Sequence, residues 1–294
     1  MVGCRLTVPV DADRPEFALH SAPAKAGTEL TVTAFRMGSA TAPRCIPAGE
    51  ESCLGLATIV HAAYRVQHPG GSFLIDAGLG SDAEEDLQRF PPLARVAFEW
   101  RDEGSLQRSL GAAGWPHFDF VLLTHAHWDH TSGLRDLFQP TVVMGPGELE
   151  FVRAFPAEAT PTVMPDHLAG ARIATFAWDG PPYEELPASH DWFGDGSVVL
   201  VPLPGHTPGS IGVFLDHVHG RRLLFVGDAA WSREAIEDPS HKIAPLSDLT
   251  DRDPATLSQT LWRLHHLHAR LPDVVMVPAH DERAFLEVRR LSAP

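Results

Sequence analysis

Residues 124–130 read Thr-His-Ala-His-Trp-Asp-His, directly after the apolar run Val-Leu-Leu at 121–123. Three imidazoles and one carboxylate therefore stand within six residues at the end of a predicted strand. Neutral imidazole and carboxylate groups are ordinary nitrogen and oxygen ligands of zinc and related ions. Burying such groups without partners is costly. The spacing therefore predicts a metal site rather than a histidine-rich surface loop.

Three later segments repeat this arrangement, in which an apolar run ends on one histidine or aspartate. The runs at 198–203, 223–226 and 274–277 lead to His206, Asp228 and His280, respectively. Sites in α/β sheets form beyond the carboxyl ends of strands. Four strand ends that each present a ligand type predict one shared metal centre.

The rest of the chain alternates between strand and helix patterns, which predicts a layered α/β domain. We expect one domain over residues 30–294, preceded by an irregular extension over 1–29. The predicted elements are a strand from Leu30, a hairpin over 58–66 and 72–76, a helical region over 81–115, a strand at 121–123, short helices at 132–138 and 147–155, a long loop region or irregular strands over 156–196, and a helix over 254–271 with Asp253 as N-cap.

Composition narrows the classes of function. The 294 residues are 44% hydrophobic and 21% charged, as in globular proteins, and the net charge of −15 disfavours nucleic acid and anionic membranes as partners. No apolar run approaches the roughly 18–20 residues of a membrane span, and the N-terminus lacks a secretory signal. The three cysteines cannot form a disulfide scaffold, and their odd number fits a reducing compartment. We predict a cytoplasmic monomer or homodimer that acts on a small molecule.

In order and spacing, the motifs resemble those of the metallo-β-lactamase superfamily over about residues 55–285. They are LIDAG at 74–78, THAHWDH at 124–130, PGHTPGS at 204–210, GDAAW at 227–231 and PAH at 278–280. The resemblance implies a four-layer αβ/βα sandwich, in which two mixed β-sheets are flanked by helices. It also implies a dinuclear metal centre at one edge.

The resemblance also implies a role for each residue of the motifs. Asp228 would bridge two divalent ions, expected to be zinc, with iron, manganese and cobalt left open. Asp76 would hold a ligand or a loop backbone, and Thr207 would fix the loop that carries His206. The implied ligands are His125, His127 and His206 at the first ion, and Asp129, His130 and His280 at the second.

Within the superfamily, the sequence is most similar to the N-acyl homoserine lactonase and glyoxalase II branches. The lactonases typically have a tyrosine three residues after the bridging aspartate, whereas this chain has Trp231 there. An indole offers one N–H donor but no phenol. Trp128, Trp192, Phe193 and Trp231 are the predicted aromatic residues of the substrate pocket.

The implied reaction is hydrolysis of a lactone or another ester. A hydroxide bridging the two ions would attack the carbonyl, and Asp129 would carry the proton to the leaving group, with Asp228 as the second catalytic residue. A glyoxalase II-like thioester hydrolase and a mono-iron sulfur dioxygenase stay open as alternatives. A β-lactamase, a phosphodiesterase and a metal-binding protein without catalysis rank below them.

Overall fold

The computed structural model describes residues 28–48, 54–92, 95, 99–155 and 161–292. The predicted N-terminal extension at 1–29 lies outside these residues except for its last two positions. The described residues form two β-sheets with helices on their outer faces, which is the predicted αβ/βα sandwich.

The first sheet has seven strands in the order β4-β1-β2-β3-β5-β6-β7. The long strands β1 and β2 pair antiparallel, whereas β3, β5, β6 and β7 run parallel to one another. The predicted hairpin is present as β2 and β3. The strands are β1 (Thr31–Pro43), β2 (Leu56–His68), β3 (Gly71–Ile75), β4 (Glu99–Asp102), β5 (Phe120–Leu122), β6 (Thr141–Met144) and β7 (Arg172–Thr175).

The second sheet has five strands in the order β12-β11-β10-β9-β8. Strands β9 and β11 both pair antiparallel with β10, and β12 pairs parallel with β11. Therefore β9, β11 and β12 end at the same edge of the sheet. The strands are β8 (His190–Asp191), β9 (Val198–Pro202), β10 (Ile211–Val218), β11 (Arg221–Gly227) and β12 (Val274–Pro278).

The helices match the predictions unevenly. Helix α8 has the predicted N-cap, because the Asp253 side chain accepts a hydrogen bond from the Thr256 amide. Among its described residues, the predicted helical region at 81–115 contains the short helices α2 and α3 with β4 between them, and β6 and β10 lie where no strand was predicted. The helices are α1 (Cys45–Ala48), α2 (Ala83–Gln88), α3 (Leu106–Ala112), α4 (Trp128–Thr131), α5 (Glu148–Ala154), α6 (Glu234–Glu237), α7 (Ala244–Thr250), α8 (Pro254–Arg270) and α9 (Glu282–Leu291).

Three apolar layers hold the sandwich together. The central layer lies between the sheets and joins residues such as Phe73 and Leu122 to Val213 and Phe225. A second layer packs α8 against the outer face of the second sheet, and a third packs α3 against the first sheet. Burial of these apolar faces fixes the two sheets relative to each other, and with them the strand ends.

Two observations bear on the cellular setting. Among the described residues, no helix is long and apolar enough to cross a membrane. Cys45 is disulfide-bonded, and the other two cysteines, Cys4 and Cys53, lie outside the described residues. An odd cysteine count permits one bridge, so the expectation of a reducing compartment cannot rest on that count.

Candidate metal centre

All seven predicted ligands meet at the edge where the strands end. Four of them follow β5 and enter α4, while the other three follow β9, β11 and β12. The six ligands other than Asp129 are buried, and the Asp129 side chain is 11% exposed. The fold thus collects the predicted ligands from both sheets into one cluster.

His125, His127 and His206 form the first group of ligand atoms. The Nε2 atoms of His125 and His206 lie 3.1 Å apart, and their rings pack edge to face. Burial lowers the pKa of all three imidazoles, most strongly at His125 and His127. Neutral imidazoles offer the lone pair that a metal ion requires.

Asp129, His130 and His280 lie on the other side of Asp228. The Nε2 atom of His280 is 3.4 Å from Asp129 Oδ2, and that of His130 is 4.0 Å from the same oxygen. Burial alone lowers the pKa of His130 and His280, but the surrounding carboxylates outweigh it and raise both. Protons and metal ions therefore compete for this group.

Asp228 stands between the two groups. Its Oδ1 atom is 3.2 Å from Nε2 of both His130 and His280, and its Oδ2 atom is 3.4 Å from Nε2 of His206. Burial raises the pKa of Asp228, yet the facing imidazoles His280 and His130 bring it well below its usual range. The Oδ2 atom also lies 3.2 Å from His280 Nε2, so this carboxylate faces imidazoles of both groups, as a bridging ligand would.

The donor atoms fit a pair of divalent ions. Two atoms bound tetrahedrally to one ion at 2.0–2.2 Å stand about 3.4 Å apart, which is close to the spacings above. Among the described residues, His130 Nε2 and Asp228 Oδ1 are buried and make no well-directed hydrogen bond. Buried polar atoms are normally satisfied, so a metal ligand role accounts for both.

Hydrogen bonds behind the ligands orient them toward the centre. Asp76 accepts from His130 Nδ1 at 2.8 Å and from the Thr124 amide at 2.7 Å, and it adopts a left-handed backbone with φ of 57°. His280 Nδ1 donates to the Val60 carbonyl at 2.9 Å. With Nδ1 donating, the Nε2 atom of each imidazole keeps its lone pair for an ion. Asp76 thus holds both the His130 imidazole and the backbone at Thr124.

His206 is oriented by a buried ion pair. Its Nδ1 atom donates to Asp251 Oδ1 at 2.7 Å, and Lys242 Nζ lies 2.7 Å from the same oxygen. Burial raises the pKa of Asp251, but Lys242 and His206 bring it far below its usual range. The Lys242 side chain is buried. Nothing in the local sequence of the lysine pairs it with residue 251.

Glu148 links two ligand-bearing loops. One of its oxygens accepts from the Ala126 amide at 2.7 Å, and the other accepts from Thr207 Oγ1 at 2.7 Å and from the Gly209 amide at 3.0 Å. Burial raises the pKa of this carboxyl, and its three donors oppose that rise. Thr207 therefore ties its loop to Glu148, a residue that the sequence motifs do not include.

A further network of buried hydrogen bonds supports the loop of residues 124–130. Thr131 Oγ1 donates to the His127 carbonyl and lies 2.9 Å from His167 Nδ1, while His167 Nε2 is 3.1 Å from Asp86. Ser132 and Arg135 also donate to Asp86. Burial raises the pKa of Asp86, but these partners reverse the effect and lower it.

His61 was not identified from the sequence, yet it lies in the centre. Its Nδ1 atom is 3.2 Å from Asp129 Oδ2, and its ring centroid is 5.1 Å from that of His280. Together with Asp129 and His280 it forms a group of ligand atoms that could hold an ion. A single histidine inside an apolar strand resembles a core residue, and no motif surrounds it.

A cavity of about 450 Å³ opens onto Asp129, Asp228 and His280. Trp128 and Trp231 line it, as predicted. The remaining walls are largely apolar, with Ala40, Ile46, Ile59, Leu87, Phe90, Ile243, Leu246 and Leu249 among them.

The structure places two of the predicted pocket residues elsewhere. Phe193 stacks on His68 at 3.7 Å, and Trp192 packs against Phe120. Both side chains lie beside the layer between the sheets and are absent from the cavity walls. The reason is that β8 pairs with β9 and carries this segment onto the core.

Trp231 also contacts the centre directly. Its indole Nε1 donates to Asp228 Oδ2 at 2.7 Å, and Lys242 Nζ lies 5.2 Å from the ring centroid. The side chain is 8% exposed, so it serves both as a cavity wall and as a hydrogen-bond donor.

Comparisons with known proteins agree with this geometry. The model of the metallo-beta-lactamase superfamily matches residues 58–280. The probable metallo-hydrolase Rv2300c of Mycobacterium tuberculosis is 27% identical over 246 residues, which cover 79% of this chain and 78% of that protein. The N-acyl homoserine lactonase AttM of Rhizobium radiobacter is 24% identical over 238 residues, which cover 77% and 84%.

A solved structure has the same fold. It is an N-acyl homoserine lactone hydrolase with the product N-hexanoyl-L-homoserine bound at its catalytic metal centre. The TM-score is 0.68 at 15% sequence identity, over 88% of this chain and 96% of that chain. This similarity extends over both sheets and shows the fold.

Proposed function

The chain belongs to the metallo-β-lactamase superfamily, and from that premise we propose that it is a dinuclear metal-dependent hydrolase of lactones or other esters with an apolar acyl group. The observation that carries the proposal is the apolar cavity that opens onto the candidate metal centre. Its volume of about 450 Å³ is within the range of small-molecule sites.

Each part of the centre has a role in this proposal. The two ions would lower the pKa of a water molecule to provide the nucleophile and would polarise the carbonyl. Asp228 would hold both positions at a fixed separation. Asp129 is partly exposed and lines the cavity, so it would carry the proton to the leaving alcohol.

The cavity walls favour an ester over a glutathione thioester. Glutathione carries two carboxylates, and its binding calls for cationic side chains. Among the described residues that line the cavity, Arg95 is the one arginine or lysine. Apolar walls instead favour a hydrocarbon chain, at about 0.8 kcal/mol for each buried methylene.

The test is hydrolysis of N-acyl homoserine lactones of increasing chain length by the metal-loaded protein, followed by proton release. We expect kcat/KM to rise about fourfold for each methylene until the cavity is filled, following that burial energy. The variant Asp129→Asn, purified in the same way, shows how much hydrolysis comes from contaminating esterases. S-lactoylglutathione is the thioester substrate against which the lactones are compared.

No turnover of lactones or simple esters by protein with two bound ions would refute the proposal. Faster turnover of the thioester than of every lactone would assign the chain to thioester hydrolysis instead.

A further inference from the structure

We propose that His61 is a protein ligand of the second metal position, together with Asp129 and His280. This inference rests on the proposed dinuclear centre and adds a residue that lies outside the motifs of the chain. The sequence motifs supply four side chains for that position: Asp129, His130, Asp228 and His280. His61 comes from the middle of β2, in the first sheet.

The spacing of the atoms carries the proposal. Asp129 Oδ2 lies 3.2 Å from His61 Nδ1 and 3.4 Å from His280 Nε2. Both values are close to the separation of about 3.4 Å expected for two donors on one ion. The Nε2 atoms of His125 and His206, which are both predicted ligands, are a similar 3.1 Å apart. His61 is therefore placed relative to Asp129 as the predicted ligands are placed relative to one another.

The backbone fixes His61 in this place. The Val60 amide donates to the His280 carbonyl at 3.3 Å, and His280 Nδ1 donates to the Val60 carbonyl at 2.9 Å. These two bonds join β2 to the loop that follows β12, immediately beside His61. The ring also lines the cavity, so it approaches the second position from the substrate side.

The two metal positions then differ in their protein donors. Three imidazoles and Asp228 surround the first position, whereas three imidazoles and two carboxylates surround the second. Zinc is usually held by four donors in protein sites, while manganese and iron accept higher coordination. We therefore expect the second position to take manganese or iron more readily than the first.

The experiment compares wild type, His61→Gln and His61→Ala, each stripped of metal and titrated against a chromophoric chelator with zinc, manganese or cobalt. We expect two ions per wild-type chain, and second-ion affinity at least tenfold lower in both variants with the first ion retained. His117→Ala is the matched control, since it removes an exposed imidazole 3.0 Å from Asp119, another histidine–aspartate pair. It should bind as wild type.

Two spectroscopic measurements separate ligation from a supporting contact. In the cobalt-loaded variants, loss of a ligand changes the visible absorption of the second ion, whereas loss of a hydrogen bond to Asp129 does not change its coordination number. Ring-nitrogen NMR of the zinc-loaded wild type reports directly whether His61 Nδ1 is metal-bound, and it does not depend on how the variants fold.

The outcomes distinguish this inference from the proposed function. Wild type that binds one ion per chain would refute the dinuclear centre itself. Wild type that binds two ions, with second-ion affinity in both His61 variants within twofold of its own, would refute the role of His61 and leave the proposed function standing. An unbound Nδ1 in the NMR spectrum would likewise overturn the ligand assignment.

Discussion

Trp231→Phe tests whether the indole N–H supports the predicted bridging carboxylate. Phenylalanine keeps an aromatic wall on the cavity and a ring near Lys242, but it removes the donor that lies 2.7 Å from Asp228 Oδ2. A hydrogen bond to a charged group contributes about 1.5–3 kcal/mol. That range corresponds to about a ten- to hundredfold change in an equilibrium constant. Substituting a residue that hydrogen-bonds to a metal ligand typically lowers metal affinity or activity by a similar factor.

The assay measures metal affinity and steady-state kinetics of the same preparations. Since Asp228 faces both groups of ligands, we expect Trp231→Phe to weaken metal binding about ten- to hundredfold and to lower kcat. The value of KM should change little, because the apolar wall remains. Trp115→Phe is the control, since this tryptophan is 56% exposed and lies in the loop after α3.

One pattern of results would refute this reasoning. If Trp231→Phe binds both ions as wild type does and only KM rises, then the tryptophan is a wall of the substrate cavity and its N–H does not support Asp228.

Three further predictions concern stability, measured by urea unfolding of the metal-free protein. Lys242→Met should destabilise the fold by about 3–5 kcal/mol, because it leaves the Asp251 carboxylate buried without its cation; a loss below 1 kcal/mol would contradict this. Gly209→Ala should cost about 1–3 kcal/mol, since a Cβ there would lie 2.4 Å from the Glu148 backbone nitrogen; unchanged stability would show that the loop shifts freely. The lowered pKa of Asp86 adds stability that is fully present above the unfolded value of about 3.9 and is lost as the pH falls towards the folded value. Asp86→Asn should therefore show a weaker fall in stability between about pH 5 and pH 3 than wild type does, and equal slopes would exclude this contribution.

The fold could be predicted from the sequence where local pattern and tertiary structure agree. Helix α8 has its apolar face, proline and N-cap within one segment, and the strands that lead to the ligands are short apolar runs with distinct ends. The region 81–115 was predicted to be helical because it is polar, although Pro91 and Pro92 interrupt it before β4. Its strand is specified by pairing with β1, which no local pattern reveals.

The same distinction between local sequence pattern and tertiary contact applies to the candidate metal centre. The predicted ligands stand in recognisable motifs, so their meeting at one edge follows from the directions of the strands. His61, Glu148 and Asp251 stand alone in sequence, and the predicted ligand or ligand-bearing loop that each contacts lies at least 22 positions away. A single polar residue in an apolar or mixed segment has no periodic or motif signal. Only the packed structure shows which partner it faces.

The order in which the ligands occur along the chain has a consequence for biosynthesis. Among the ligands predicted from the sequence motifs, the first is His125 and the last, His280, follows β12 of the second sheet. A nascent chain in which β12 has not yet been synthesised lacks His280. It presents only the donors that follow β5 in the first sheet and β9 and β11 in the second. The full set of predicted donors can thus meet only after His280 has been synthesised and both sheets have formed. An ion bound by the complete set of donors therefore indicates a molecule in which both sheets have formed.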